Sequence, residues 1–199
     1  MARLTREESQ ALTRAKLLKC APQVVATEGF EGASIDKITE AAGFSKGAFY
    51  SNFSSKDEFF LELLEQHAGQ DVVEIAALLV GITRPEEIIS KVSNWSEGRA
   101  SDPIWGTLPI ELFQRARREA TFNSRHATLF RDQWRNVGEL LMPLAPNWSD
   151  AEPEILGAMV LELTYGAASS FSEGMGPGVG DLVAFALNSV WQAYGANSD

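Results

Sequence analysis

Four residues close to position 50 have the chemistry that nucleic acid requires. Lys46 offers a cation for a phosphate or a guanine, and Tyr50 and Asn52 offer a phenol and an amide that can donate hydrogen bonds. Gly47 stands among them, although a glycine inside a helix costs about 1 kcal/mol relative to alanine. This cost indicates that a side chain would collide with something, and a DNA backbone is one candidate. The alternative is a helical hairpin whose glycine has no consequence.

A short helix before these residues is the first element expected to position them. Ile35, Ile38 and Ala42 recur at steps of three and four, which places them on one face of a helix. Ser34 supplies an N-cap, and Gly43 ends the helix because a left-handed backbone is cheapest for glycine. A tight turn is therefore expected directly after Gly43.

A second helix is expected to carry the candidate residues themselves. Ser45 can cap this helix, and Phe49 and Phe53, four residues apart, face inward. Lys46 and Tyr50 then lie on the outer face. Two short helices joined by a tight turn, with a polar outer face on the second, are the layout of a module that reads a groove of DNA.

The string from Ser34 through Lys56 resembles the amino-terminal domain of the tetracycline-repressor (TetR) family. The family's pattern is matched, at the family's spacing, by Ser34, Ile38, Ala42, Gly43, Phe44, Ser45, Gly47, Tyr50, Phe53 and Lys56. Thr39 and Asn52 depart from the pattern, in which alanine and histidine are common at these two places. Both residues stay small or polar, so the departures leave open only the individual contacts.

The resemblance implies an all-α fold with about nine helices. Residues 1–56 would form a three-helix DNA-binding domain with a helix-turn-helix, and residues 57–199 a helical domain for effector binding and dimerisation. The residues expected to contact DNA are Ser34, Ser45, Lys46, Gly47, Ala48, Tyr50, Ser51, Asn52 and Lys56. The implied function is a transcriptional regulator, usually a repressor that a small molecule releases from its operator. Its expected partners are double-stranded operator DNA, an unidentified small-molecule effector and a second copy of the chain.

The helices that flank this pair carry further basic candidates. Thr5 and Glu8 form a capping box for a first helix that ends at Gly29. Its inner stripe is expected to include Leu12, Ala15, Leu18, Pro22, Val25 and Ala26. In the family, residues near the start of this helix can touch the DNA backbone, which makes Arg3, Arg6 and Arg14 secondary phosphate candidates, although each can equally be a solvated charge. Lys56 lies at the start of the next helix, where its charge and the helix end both attract a phosphate.

The charges are divided unevenly along the chain. Residues 1–56 hold 8 Lys and Arg against 6 Asp and Glu, a charge of +2, whereas residues 57–199 hold 9 against 21, a charge of −12. The field that a DNA phosphate meets is local, because the Debye length is only about 8 Å at physiological salt. The acidic remainder would disfavour other docking orientations, although solubility explains it equally well.

The chain after residue 56 is expected to be helical throughout. Five of its aromatic residues could line an effector pocket: Trp95, Trp105, Phe113, Trp134 and Tyr165. Aromatic residues at helical spacing are more often core than ligand pocket, so this alternative stays open. In the TetR family the last two long helices pair with those of a second subunit. The candidate interface residues are Gly157, Ala158, Leu161, Tyr165, Ala168, Leu187, Val190 and Trp191, whose composition also suits a core within one chain.

Composition favours an intracellular globular protein. Hydrophobic residues make up 45% of the chain, enough for a sizeable core. Cys20 is the single cysteine, so no internal disulfide can form, and it is expected to be a small buried residue. The start has no apolar signal segment, and the weakly polar stretch 155–171 is short and contains Glu162. A cytoplasmic location without membrane attachment is therefore expected.

An enzyme is the main competing class. His67 and His126 are the only histidines, and the sequence shows no metal-ligand spacing, glycine-rich phosphate loop or serine nucleophile elbow. No catalytic residue, metal or cofactor is therefore expected. A carboxylate-based hydrolase stays open as the weakest alternative, because paired acids can be distant in sequence. A helical adaptor that binds protein and has no affinity for DNA is the other alternative.

Overall fold

The computed structural model describes residues 5–102, 108, 120–148, 152–168 and 176–195. Every regular element within these ranges is helical, which confirms the all-α fold. The α-helices of the described residues are α1 (Arg6–Gly32), α2 (Ile35–Ala42), α3 (Lys46–Tyr50), α4 (Lys56–Leu79), α5 (Pro85–Ala100), α6 (Ala120–Leu141), α7 (Pro153–Ala168) and α8 (Val179–Tyr194), with a 3₁₀ turn (Met142–Leu144) after α6. Among these helices, none combines the length and the apolar composition that a bilayer-crossing segment needs.

The chain divides into two compact units, Met1–Leu64 and Glu65–Asp199. The division falls within α4, later than residue 56, where the domain boundary is predicted. The first turns of α4 belong to the amino-terminal unit because Phe59 and Phe60 are fully buried there. The ring of Phe59 contacts that of Phe53, and the ring of Phe60 contacts that of Phe30, with centroids 4.8 Å apart in both pairs.

Side-chain caps fix where α1 and α2 begin. At the start of α1, Thr5 Oγ1 accepts from the Glu8 backbone N–H at 3.2 Å, and the Thr5 N–H donates to the Glu8 carboxylate at 2.7 Å. Ser34 Oγ accepts from the Lys37 N–H at 3.3 Å and caps α2. Gly29 has φ +69°, so regular helix is interrupted there although the helical assignment continues to Gly32. The capping pattern in the sequence thus sets where the chain turns.

The amino-terminal unit has one aromatic and aliphatic core. On α1 the buried residues are Leu17, Leu18, Ala21, Val24, Val25 and Phe30, and they meet Ile38, Phe49 and Phe53. The predicted inner stripe was wrong at Leu12, Ala15 and Ala26, which are exposed. At about 100° per residue these three lie on the opposite side of the helix from the buried set. Cys20 is half-buried rather than buried, with Sγ 3.7 Å from the Ala41 carbonyl.

The carboxy-terminal unit buries its apolar residues between α4, α5, α6, α7 and α8. Its core includes Ile75, Ile88, Ile89, Val92, Val137, Leu141, Leu156, Val160, Leu161, Val183 and Leu187. Each fully buried aliphatic side chain of this size contributes roughly 1.5–3 kcal/mol relative to an exposed one. Packing rather than helix propensity therefore stabilises this unit.

The closest approach in this unit is between α6 and α7, and two glycines permit it. A Cβ on Gly157 would overlap the carbonyl of Trp134, and a Cβ on Gly138 would overlap that of Pro153. Gly157 therefore packs against α6 inside the chain. Leu161, Tyr165 and Leu187 are likewise buried within one chain, because α7 and α8 use them for their own packing, and a further role of these four residues between two copies stays a prediction. Ala158, Val190 and Trp191 are half-buried, and the side chain of Ala168 lies outside the described residues.

Candidate nucleic-acid interface

Helix α3 has one buried face and one exposed face. Phe49 and Phe53 are 0% and 2% exposed, and their rings contact each other and Phe59. Lys46 and Tyr50 keep more than half of their surface in solvent, 54% of the side chain and 53% of the residue respectively. Because the phenylalanines anchor the helix in the core, its outer face has a fixed orientation.

The outer face of α3 presents few atoms that the protein itself uses. The Tyr50 hydroxyl makes no hydrogen bond to any residue that the structure describes, and the Tyr50 ring meets the edge of Phe49. A Cβ placed on Gly47 would meet only Ser45 Oγ, at 3.7 Å, which is ordinary van der Waals contact. The described part of the chain therefore gives no internal reason for a glycine at this position. A donor-bearing phenol and a bare backbone remain available to an external partner.

Lys46 is paired within the protein. Its Nζ lies 3.0 Å from both carboxylate oxygens of Asp36, at the start of α2. The hydrogen bond to Asp36 and the charge of that carboxylate raise the pKa of Lys46, so the ammonium stays charged. The sequence pattern identified Lys46 as a DNA contact without anticipating this partner.

The start of α1 lies beside α3. Gln10 Nε2 donates to the Ser51 carbonyl at 3.0 Å, and the two helices border an open groove of about 290 Å³. The groove is lined by Arg6, Ser9, Gln10, Thr13, Ala48, Ser51 and Asn52. Among the predicted basic candidates of α1, Arg6 is the one beside α3, while Arg3 lies outside the described residues.

Three of the predicted polar contacts are used inside the amino-terminal unit. Arg14 binds the Glu62 carboxylate and the Asn52 carbonyl, and its guanidinium lies 4.2 Å above the Phe53 ring. Asn52 is half-buried, and its amide donates to the Ala48 carbonyl at 2.8 Å. Lys56 Nζ donates to the Phe30 carbonyl at 2.9 Å. Arg14 is therefore a brace for α3 rather than an exposed cation.

The remaining predicted contacts lie at the helix ends. The Ser45 hydroxyl accepts from the Ala48 N–H at 3.2 Å, so Ser45 caps α3 much as Ser34 caps α2. Helix α3 itself ends at Tyr50, earlier than the spacing of Phe49 and Phe53 predicts, because Ser51 and Asn52 form a turn. The exposed face thus consists of Lys46, Gly47, Tyr50 and Ser51, which lie within six consecutive residues.

A second candidate site is a buried polar cluster in the carboxy-terminal unit. Asp71 on α4 is fully buried; its Oδ2 accepts from the Tyr165 hydroxyl and from Gln133 Nε2, the latter at 3.1 Å. Its Oδ1 lies 2.9 Å from Arg99 Nη2. His67 Nε2 lies 3.1 Å from the Tyr165 hydroxyl. Four helices, α4, α5, α6 and α7, thus meet at one carboxylate.

Glu74 extends this cluster towards the surface. Its Oε2 accepts from Arg99 Nη2 at 2.6 Å and from the Trp95 indole at 3.0 Å. Trp95 and Tyr165, both predicted for the effector pocket, therefore donate hydrogen bonds to two carboxylates of this cluster, Glu74 and Asp71 respectively. Trp134 is half-buried, and its indole N–H has no hydrogen-bond partner in the described ranges. Trp105 and Phe113 lie outside the described residues.

The cluster leaves two polar atoms unsatisfied. Asp71 Oδ1 and Arg99 Nε are buried and make no hydrogen bond to a described residue, because the ion pair between the two side chains is not aligned for one. An unsatisfied buried polar group costs roughly 1–3 kcal/mol. Unsatisfied groups of this kind beside groups with shifted pKa values mark a candidate functional site. The sequence signal for this cluster is the pair His67 and Asp71, four residues apart on a face of α4 that otherwise carries Phe60, Leu64, Ala68 and Ile75.

Two groups in the cluster make the stability of the folded protein depend on pH in opposite directions. Burial raises the pKa of Asp71 from 3.8 to about 6, so the folded protein binds more protons than the unfolded chain between these values, and its stability falls as pH rises. Burial and the charge of Arg99 lower the pKa of His67 from 6.5 to about 3, so stability rises with pH in that window. The two contributions therefore oppose each other where the windows overlap.

Replacing Asp71 with asparagine should unmask the contribution of His67. In Asp71→Asn the free energy of unfolding is expected to rise between about pH 4 and pH 6 more steeply than in the parent, by up to about 1.4 kcal/mol per pH unit. Asparagine keeps an acceptor for Tyr165, so the fold is retained. Urea unfolding at several pH values measures the two slopes. Equal slopes would show that Asp71 does not take up a proton on folding.

Comparison with known proteins places the amino-terminal unit in a family. Residues 17–63 match the bacterial regulatory proteins of the tetR family. The transcriptional activator FasR of Mycolicibacterium smegmatis is 40% identical over 65 residues, which cover 33% of this chain and 28% of FasR. The transcriptional repressor AcnR of Corynebacterium glutamicum is 25% identical over 118 residues, which cover 57% of this chain and 55% of AcnR. The chain thus spans about half or less of the length of these relatives.

The fold likeness extends over nearly the whole chain. A structure from Mesorhizobium loti, described as a TetR-family transcriptional regulator, superposes with a TM-score of 0.71 at 15% identity and covers 97% of this chain and 100% of its own. At that identity the likeness shows the fold alone. The matched residues 17–63 contain the caps of α2 and α3, the phenylalanine anchors and the exposed face of α3. Residues 17–63 thus match the tetR family of bacterial regulatory proteins, and over the rest of the chain the likeness is one of fold.

Proposed function

We propose that the chain is a DNA-binding transcriptional regulator that reads an operator with α3. The observation that carries the proposal is the exposed face of α3, where a lysine, a glycine and a tyrosine stand outward on a helix anchored by Phe49 and Phe53. Hydrogen-bond donors on a short protruding helix suit base edges and phosphates in the major groove. The adaptor and hydrolase alternatives have no comparable arrangement in their favour. A regulator of this kind acts in the cytoplasm, where its operator is.

The proposed regulator acts as a homodimer. A single three-helix unit makes few contacts with one half-site, whereas two copies related by a two-fold axis match a palindromic operator. Each of α7 and α8 carries an exposed apolar residue, Ile155 and Phe185, and Phe185 is 74% exposed. Large apolar side chains on neighbouring helices suit an interface between two copies. Ala158, Val190 and Trp191 are half-buried in one chain and keep their place as interface candidates.

The proposed effector is a small molecule that binds near the buried polar cluster. Two atoms of the cluster, Asp71 Oδ1 and Arg99 Nε, are an acceptor and a donor without a hydrogen bond in the described structure, and the Arg99 guanidinium lies 5.4 Å from the centre of the Trp95 ring. Such a combination of apolar walls and few polar groups is typical of ligand sites. Helix α4 contains both Lys56 and Asp71, so it can transmit a change between the site and the reading unit. A ten- to hundred-fold preference of the effector for the non-binding state corresponds to about 1.4–2.8 kcal/mol of coupling.

Repression is the proposed sign of regulation. AcnR is a repressor and FasR is an activator, so the family includes both. A dimer that covers an operator in its effector-free state occludes transcription without needing a further contact.

Loss of the outer α3 side chains should remove operator binding without unfolding the protein. Duplexes are first selected from a random pool with the parent protein, and the variants Lys46→Ala and Tyr50→Phe are then tested by gel shift against the selected duplex at two salt concentrations. We expect about a 5- to 100-fold loss of affinity for each, since good base contacts are worth about 1–3 kcal/mol. Lys91→Ala removes the same charge from α5 and serves as the control.

The selection also separates the competing classes. A regulator enriches one sequence and gives salt-sensitive retardation, whereas an adaptor or a hydrolase enriches none. If the parent selects no sequence, the proposed function is wrong. If it selects one and both variants bind as tightly as the parent, α3 is not the element that reads DNA.

A further inference from the structure

We propose that Asp36 is a specificity-determining residue, which holds the Lys46 ammonium in the free protein and competes for it with DNA phosphates, so that binding to unrelated sequences is suppressed. The inference rests on the proposed function of α3. It concerns a residue on α2, outside the set expected to contact DNA.

The geometry of the pair supports this role. Both oxygens of Asp36 lie 3.0 Å from Lys46 Nζ, and the side chain of Asp36 is 69% exposed. An exposed ion pair contributes little to stability, because water solvates both partners well. The ammonium can therefore leave the carboxylate when a better partner approaches. The pair connects the first turn of α2 with the first residue of α3, which is the edge of the reading face.

The ion pair between Asp36 and Lys46 is important because residues 1–56 have little excess positive charge. Within the described residues, Lys37 is paired with Glu28 and Arg14 with Glu62, in addition to Lys46 with Asp36. Residues 1–56 hold 8 basic and 6 acidic residues, an excess of +2, and the last turns of the unit, up to Leu64, add three further carboxylates and no basic residue. Non-specific binding depends on the number of phosphates that the protein neutralises. One carboxylate beside the reading helix therefore changes a large fraction of the net charge that attracts DNA phosphates.

The carboxylate should act differently on specific and non-specific complexes. On the selected duplex, Lys46 gains a partner at fixed distance, and other contacts hold the helix in register. On unrelated DNA the lysine has only diffuse attraction to phosphates, which Asp36 cancels, and the carboxylate itself repels the backbone. Discrimination by an unfavourable charge in the wrong complex is a general device for specificity.

The test compares Asp36→Asn with a matched control on the same helix. Glu40→Gln removes an equally exposed carboxylate of α2, for which the structure describes no contact with Lys46. Affinities are measured by fluorescence anisotropy for the selected duplex and for a scrambled duplex of equal length and composition, between about 50 and 200 mM salt. Thermal unfolding of both variants confirms that they fold.

We expect Asp36→Asn to bind the scrambled duplex about 5- to 10-fold more tightly, with a plot of log affinity against log salt concentration steeper by about one. The selected duplex should gain less, so that the specificity ratio falls. Glu40→Gln should change neither quantity by more than about 2-fold. In a Lys46→Met background, the effect of Asp36→Asn should shrink to that of Glu40→Gln, because only the direct repulsion between the carboxylate and the DNA backbone is left.

Two results would overturn the inference. One is equal behaviour of Asp36→Asn and Glu40→Gln, which would make the ion pair an ordinary surface contact. The other is an equal gain on both duplexes, which would make Asp36 a determinant of affinity and not of specificity. A failure of the proposed function appears separately, as a parent protein that does not distinguish the two duplexes at all.

Discussion

Gly47→Leu is expected to keep its fold and to lose most of its affinity for the selected duplex. A Cβ at this position meets only Ser45 Oγ at 3.7 Å, so the described chain has room for a side chain. The helix propensity of leucine is better than that of glycine by up to about 1 kcal/mol, so the free energy of unfolding should not decrease. If Gly47 is glycine because a DNA backbone approaches it, a leucine there prevents close docking. The expected loss is about 100-fold or more, or about 2.8 kcal/mol.

A control variant separates docking from general effects of a new leucine. Gly98 lies in α5, and no described residue comes within 4 Å of a Cβ placed there, so Gly98→Leu adds the same side chain to a helix outside the reading unit. We expect it to bind the selected duplex like the parent. Anisotropy titrations and urea unfolding of both variants give the two quantities. If Gly47→Leu binds with unchanged affinity, Gly47 is a glycine of no consequence in an ordinary helical hairpin.

Gly157→Ala is expected to have the largest effect on stability. A Cβ at this position would overlap the Trp134 carbonyl and lie 2.9 Å from the Gly138 nitrogen, both of them backbone atoms that cannot rotate away. Helices α6 and α7 would have to separate, and overpacking of a close contact costs about 1–3 kcal/mol, occasionally more. We expect a loss of about 3 kcal/mol or more in the free energy of unfolding, measured with urea.

Gly166→Ala provides the matched control on the same helix. No described residue lies within 4 Å of a Cβ placed on Gly166, so alanine should be neutral or raise stability by about 0.5–1 kcal/mol through helix propensity. The comparison also distinguishes the two interpretations of Gly157. If this residue served only an interface between two copies, Gly157→Ala would alter the dimerisation constant and leave the stability of the subunit as it is.

The local features of the reading unit could be predicted from the sequence because they depend on neighbouring residues. Ser34, Gly43 and Ser45 set the helix ends through contacts within four residues, and Gly43 has the left-handed φ of +73° that its position implies. Phe49 and Phe53 are buried as their spacing predicts. The exposed face of α3 follows from these local rules.

Contacts between distant parts of the chain could not be predicted in this way. His67 meets Tyr165 across 98 positions, and Arg14 meets Glu62 across 48. Arg14 and Asn52 were interpreted as groups available to DNA, because residue type shows that a side chain can donate but not which partner it will find. Gly157 was assigned to an interface for a similar reason. Small residues indicate close packing without identifying the helix that approaches.

Two copies of α3, one from each subunit, are proposed to read successive major grooves of the operator. A methylation-interference footprint on the selected duplex tests this proposal most directly, because it reports separately on guanine N7 in the major groove and adenine N3 in the minor groove. We expect interference at guanine N7 in two patches centred about 10–10.5 base pairs apart, one turn of the duplex, and loss of both patches with Lys46→Ala. A single patch, or interference confined to adenine N3, would contradict the account.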